Sequence, residues 1–183
     1  MRDRVGVHGS IEMRVWKVDG RPRLQRVESG IARWIRRHLG LSLNIWPLWH
    51  LSDTVKIHNL VTNTGMAGVA SRINGSGGEA AFTYIAVGTG ATAPAAGDTG
   101  LQTEITTGGL ARAAATASRV TTDVTNDTSQ LDKTFNVTAT FAVTEAGVFN
   151  AASAGVLLGR QTFAAVNVVN GDTLQIVYKF DVD

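Results

Sequence analysis

The run Leu131-Asp132-Lys133-Thr134-Phe135-Asn136-Val137-Thr138-Ala139-Thr140-Phe141-Ala142-Val143 decides the fold. Leu131, Phe135, Val137, Ala139, Phe141 and Val143 fall on odd positions. Asp132, Thr134, Asn136, Thr138 and Thr140 fall between them. Successive side chains of a strand point to opposite faces, so this alternation is that of a half-buried strand. Threonine on the exposed positions suits a strand better than a helix. The spacing predicts one continuous strand over 131–143.

The same texture extends outward in both directions. Leu174, Ile176, Tyr178, Phe180 and Val182 alternate to the end of the chain, after Asn170-Gly171-Asp172, which reads as a hairpin turn. Further strands are expected over Arg160–Val169, Ala111–Val124, Phe82–Gly88, Val55–Thr62 and Ile11–Val18. Turns are expected at Thr125–Thr128 and Ala151–Gly155, with short apolar pieces between Gly147 and Leu158. Thr64–Ile73 reads as a short helix capped by Asn63 and stopped at Asn74-Gly75. The expected fold is mainly β: an antiparallel β-sandwich, jelly-roll or immunoglobulin-like, with a short amphipathic helix in an N-terminal insertion.

The chain has 183 residues, of which 44% are hydrophobic and 17% charged, enough for one domain with a real core. It has no cysteine, which removes disulfides, zinc–thiolate sites and cysteine nucleophiles. The net charge of +2 hides a split: residues 1–52 carry ten Lys/Arg and four acids, and the remainder is net acidic. All four tryptophans lie in that first part, which has no threonine. Three regions follow: an N-terminal arm and first strand (1–20), a basic Trp-rich insertion (21–52) and a β-sandwich body (53–183).

Within the insertion, Val27, Ile31, Trp34, Ile35, His38 and Leu39 share one helical face, and Glu28, Arg33, Arg36 and Arg37 the other. Ser29 and Gly40 would begin and end this helix. Arginines beside Trp34 could bind phosphate or an acidic surface. The apolar content is too large to leave exposed on a soluble monomer, so docking on the body or on a neighbour is preferred. The expected assembly interface is Trp34, Ile35, Arg36, Arg37, Trp46 and Trp49. Leu39–Leu51 is broken by Gly40, Pro47 and polar residues, so no membrane span is expected. Nor do the first residues form a signal peptide. A soluble protein made in the cytoplasm is expected, with nucleic acid not expected as a partner.

Candidate chemistry is sparse. Gly88-Thr89-Gly90-Ala91-Thr92-Ala93 has the form G-x-G-x-x-A after an apolar strand, but Pro94, Gly97 and Gly100 follow in place of a helix. A dinucleotide site needs that helix, so a glycine-bearing turn is expected instead. His8, His38, His50 and His58 have no spacing that converges on a metal. Glu104 and Glu145 could form a glycosidase-like pair, yet both sit among small residues without an aromatic platform, which favours a structural or surface role. Asp181 and Asp183 fall short of a calcium ligand set. No G-x-S-x-G elbow is present. No catalytic residues, cofactor or metal are therefore expected.

The run His58-Asn59-Leu60-Val61-Thr62-Asn63-Thr64-Gly65, followed by Tyr84-Ile85-Ala86-Val87-Gly88-Thr89-Gly90, resembles small structural proteins of tailed bacteriophages. Thr144-Glu145-Ala146-Gly147-Val148-Phe149-Asn150, leading to Leu157-Leu158-Gly159-Arg160, also resembles a stretch of the N-terminal domains of phage tail-collar fibre proteins. Phe163–Val168 and Gly171–Ile176 fit the same type. The resemblance covers Ile11–Val18 and about Val55–Val182. It implies a non-enzymatic virion component, on the tail or as a head decoration or cement protein, self-associating and bound to other virion proteins. In such proteins the first strand leads quickly into the segment like Val55–Asn63, so the resemblance is silent on Arg21–Ser52. A carbohydrate- or host-receptor-binding module, using loops such as Thr89–Gly100, is the alternative.

Overall fold

The computed structural model describes residues 7–16, 24–26, 49–51 and 55–182. Its strands are β1 (Val7–Trp16), β2 (Leu24–Arg26), β3 (Trp49–Leu51), β4 (Val55–Val61), β5 (Tyr84–Gly88), β6 (Ala113–Ala114), β7 (Thr116–Val120), β8 (Thr128–Asn136), β9 (Phe141–Phe149), β10 (Leu157–Val168) and β11 (Thr173–Val182). One helix, α1 (Asn63–Asn74), follows β4. Nine strands form one sheet in the order β6-β5-β9-β10-β4-β1-β11-β8-β7, and every pairing is antiparallel. β2 and β3 pair only with each other. The mainly β, antiparallel architecture agrees with the alternation in the sequence.

β4 is where the sheet bends. Its residues Val55–Asn59 pair with β1, and Leu60 and Val61 pair with β10. The two halves then face each other across a single core. Ile11, Met13 and Val15 of β1 and Leu174, Ile176, Tyr178 and Phe180 of β11 meet Ile85, Val87, Val143 and Val148 from the other half. The sheet rolls until its edges nearly meet. β6 and β7 stand at opposite ends of the strand order, yet only Ala115 separates them in sequence. The Ala115 N–H donates to the Thr83 carbonyl at 2.8 Å, which fixes the crossing.

β1 and β11 are buried on alternate residues, as expected for strands with one wet face. From Glu145 to Asn150, and from Leu157 to Arg160, every residue is buried. The reason is the chain between β5 and β6, which covers the outer face there. A second small cluster of Ala86, Phe149 and Leu157, with Tyr84 and Leu101 against it, fills that layer.

Several expectations change. The strand predicted over 131–143 is two strands, β8 and β9, in different halves of the sheet. The chain crosses at 137–140, and the alternation persists because both halves face one core. Asn170-Gly171-Asp172 is a tight turn, with Gly171 at φ 92°. It does not make a hairpin, because β4 and β1 lie between β10 and β11 in the sheet. It is instead a second crossing, laid against the first. Val137 N–H donates to the Asp172 carbonyl at 2.9 Å, and Gly171 N–H to the Val137 carbonyl at 2.8 Å. The strand predicted over Ala111–Val124 shrinks to β6 and β7. Beyond it, residues 121–127 form a loop around the Asp127 carboxylate, which accepts from the N–H groups of Thr122, Asp123 and Val124. Those bonds hold its pKa far below the usual carboxylate value.

α1 follows its sequence pattern closely, with one shift. The cap is Thr62, whose extended backbone lets its Oγ1 accept from Gly65 N–H at 3.0 Å. The same hydroxyl donates to the Leu157 carbonyl at 2.6 Å, tying the helix start to β10. Gly65 faces the Leu158 backbone so closely that no Cβ would fit. Gly75, at φ 71°, closes the other end. The amphipathic helix expected in the insertion lies outside the described residues.

Thr62→Val keeps the shape but removes both bonds in a buried position. It is expected to lower unfolding free energy by about 1–3 kcal/mol, measured by urea denaturation.

Candidate functional site

Trp34, Ile35, Arg36, Arg37 and Trp46 of the expected assembly interface lie outside the described residues. Trp49 begins β3, its backbone paired opposite Arg26. What the structure assembles in detail is a polar centre that sequence reasoning did not identify as a unit. Its hub is Glu145 of β9, fully buried, beside Arg160 of β10, 2% exposed. Both lie beneath the loop that runs from Thr89 to Thr103.

Glu145 Oε1 accepts from Thr103 N–H at 2.7 Å and Gly90 N–H at 3.0 Å. Oε2 accepts from Gln102 N–H at 3.0 Å and from Arg160 Nε at 2.8 Å. Arg160 Nη1 reaches Asp98 at 3.0 Å, and Nη2 donates to the Thr92 carbonyl at 3.1 Å. Thr144 Oγ1 adds a bond to the Gly90 carbonyl at 2.9 Å. Burial pushes the Glu145 carboxyl up. The N–H groups of Thr103, Gln102 and Gly90, together with the Arg160 guanidinium, outweigh that, and its pKa lies below the ordinary 4.5. A carboxylate so held neither carries a proton to give nor has basicity to spare. Its chemistry is to hold the loop.

The glycines of the G-x-G-x-x-A stretch have their reason here. A Cβ at Gly88 or Gly90 would run into the Glu145 carboxylate. The motif makes room for a protein carboxylate, in a turn between strands. The sequence held a signal for this. Glu145 and Arg160 each adjoin a short apolar run, residues 146–149 and 157–159, and two opposite charges in buried strands require each other.

A second clamp lies alongside. Arg112 pairs with Glu104, its Nη2 2.6 Å from Oε2, and lies 3.5 Å over the centre of the Phe149 ring. Its Nη1 donates to the Ala154 carbonyl at 2.7 Å, fastening the 151–155 turn. Glu104 and Glu145, considered together in the sequence as a possible acid pair, thus each hold a different arginine.

His8 and His58 come together on the outer face of β1 and β4, around a concavity shared with Ser10, Lys179 and Asp181. His50 lies in β3, and His38 outside the described residues. Among the described residues, no three His, Asp or Glu side chains converge as metal ligands do. The Tyr178 hydroxyl is buried in the core without a hydrogen-bond partner, and burial pushes its pKa far up, so it stays neutral. Among the described residues, no helix is long and apolar enough to cross a membrane.

Compared with known protein families, with curated proteins and with solved structures, the chain finds no match.

Glu145→Gln leaves buried Arg160 with only the partly exposed Asp98 as counter-charge and is expected to cost about 3 kcal/mol in urea denaturation. Adding Arg160→Met should recover part of that loss. The pH dependence has a definite sign. The folded-state pKa of Glu145 is depressed, so its contribution is complete above the unfolded value of 4.5 and is lost as pH falls through the folded value. Stability measured below pH 4.5 should therefore fall less steeply in Glu145→Gln than in the wild type.

Proposed function

We propose that the chain is a non-enzymatic structural protein of a tailed-phage virion. It is a β-sandwich assembly module on the tail or capsid surface, made in the host cytoplasm and incorporated into the particle. Its partners are copies of itself and other virion proteins, contacted through the arm that carries Trp34, Ile35, Arg36, Arg37, Trp46 and Trp49.

The observation that supports this best is where the arm is rooted. β1 and β4 are adjacent antiparallel strands, with Met13 opposite Val55. Everything basic and Trp-rich between them is a detour at the end of what is otherwise a hairpin. β2 and β3 lie within that detour and add nothing to the nine-stranded sheet. The body has its own core and its own clamps among the described residues. A surface rich in tryptophan, isoleucine and arginine is the composition of an interface centre. The phage-like runs of the sequence supply the rest: His58–Gly65 spans β4 and the start of α1, and Thr144–Asn150 carries Glu145.

Deleting Arg21–Ser52 leaves Lys17–Gly20 and Asp53–Thr54 to join β1 to β4, a connection of ordinary length. The truncated protein is expected to fold, judged by circular dichroism and a cooperative melt, and to be missing from purified particles. Normal incorporation would overturn the role of the arm. The receptor-binding alternative draws on a different feature, the exposed Thr89, Thr92 and Thr99 of the pinned loop. A glycan array separates the two, since the assembly role predicts no glycan bound at high protein concentration.

A further inference from the structure

The rolled sheet does not close completely, and the gap is apolar. A cleft of about 430 Å³ lies between α1, residues 81–83 and the edge formed by β7 and β8. Val69, Ile73, Phe82, Leu131, Leu158 and Phe180 supply most of its walls. Two side chains at its rim, Ile73 and Val182, are 83% and 55% exposed, unusual for large apolar groups. The volume falls in the range of small-molecule sites, roughly 300–1,000 Å³.

Among the described residues of the lining, the charged side chain is Arg72, in the last turn of α1. Among the described residues it makes no ion pair, and its bond there is from Nη1 to the Glu79 carbonyl at 3.3 Å. Most of its guanidinium donors remain available at the mouth of an apolar groove.

We propose that this cleft binds a single-chain amphiphile with one anionic head, of the fatty-acid class, its chain along the groove and its carboxylate on Arg72. The polar accounting selects this occupant. A peptide strand would have to bury its own backbone N–H and C=O groups, of which only those turned to the outer edge of β7 would meet partners, and the nearby Thr83 carbonyl is already taken by Ala115 N–H. The basic arm of a second copy would set like charge against Arg72. A hydrocarbon chain needs no hydrogen bonds, and a carboxylate meets the cation. This inference stands apart from the assembly role and does not depend on it.

The test uses the full chain and sodium decanoate below its micelle concentration, followed by methyl NMR. Saturable one-to-one shifts are expected at Val69, Ile73 and Leu158. Arg72→Gln, on the surface, should weaken decanoate by about two- to fivefold and leave 1-decanol unchanged. Ala117→Trp, at an exposed wall position, should block the groove and abolish decanoate binding, with core resonances retained as proof of folding. The proposal is overturned if decanoate gives no saturable shifts, if Ala117→Trp binds it as the wild type does, or if Arg72→Gln leaves its affinity unchanged.

Discussion

Glu145 sets a full negative charge into a strand that is covered on both faces. Left alone, such a charge would cost more than a small domain can spare. It is tolerated because Arg160 lies on the neighbouring strand and because three backbone N–H groups from one loop converge on it. That loop is thereby obliged to fold over the sheet. Gly88 and Gly90 must then lack side chains, Asp98 must approach Arg160, and the outer face of β5, β9 and β10 becomes interior. The loop goes on to meet the start of α1, where Asn63 N–H donates to the Ala96 carbonyl at 2.8 Å. One ion pair thus organises the layer that turns a two-sided sheet into a three-layered half.

The other half needs no such device. β1 and β11 bury alternate residues and turn polar side chains such as Glu12, Arg14, Gln175 and Lys179 to the other face, as period-two patterning dictates. The two halves are held together by chain crossings. β4 serves both halves, and the segments at 137–140 and 169–172 cross side by side and hydrogen-bond each other. β6 and β7 are joined through Ala115, so the two ends of the strand order lie next to each other in the chain. What remains open is the seam beneath α1, and it is lined with apolar side chains.

A nearly closed, internally clamped body carries a basic, Trp-rich segment between β1 and β4. Within the body, two arginines are turned inward onto loops: Arg160 on Asp98 and Thr92, Arg112 on Glu104 and the 151–155 turn.

The sequence by itself determined the elements that depend on near neighbours. Alternation identified β11 nearly in place and most of β1, and β4 and β10 were also read as strands, because side-chain character is a local property of the extended chain. The helix Asn63–Asn74 was legible from a cap and a stop, and the glycine-bearing turn at 88–90 from the absence of a following helix. Tertiary structure alone decided which strands are neighbours. Asn170-Gly171-Asp172 has the residues of a hairpin turn, but turn chemistry fixes only a reversal, and the strands after it are free to pair elsewhere. The alternation through 131–143 could not reveal a crossing, because one core receives both halves and keeps the same residues inside. Glu145 was legible only as an acid among small residues, and nothing local joined it to Arg160. That they meet, and that a loop more than forty residues earlier closes over them, depends on long-range pairing that no local pattern encodes.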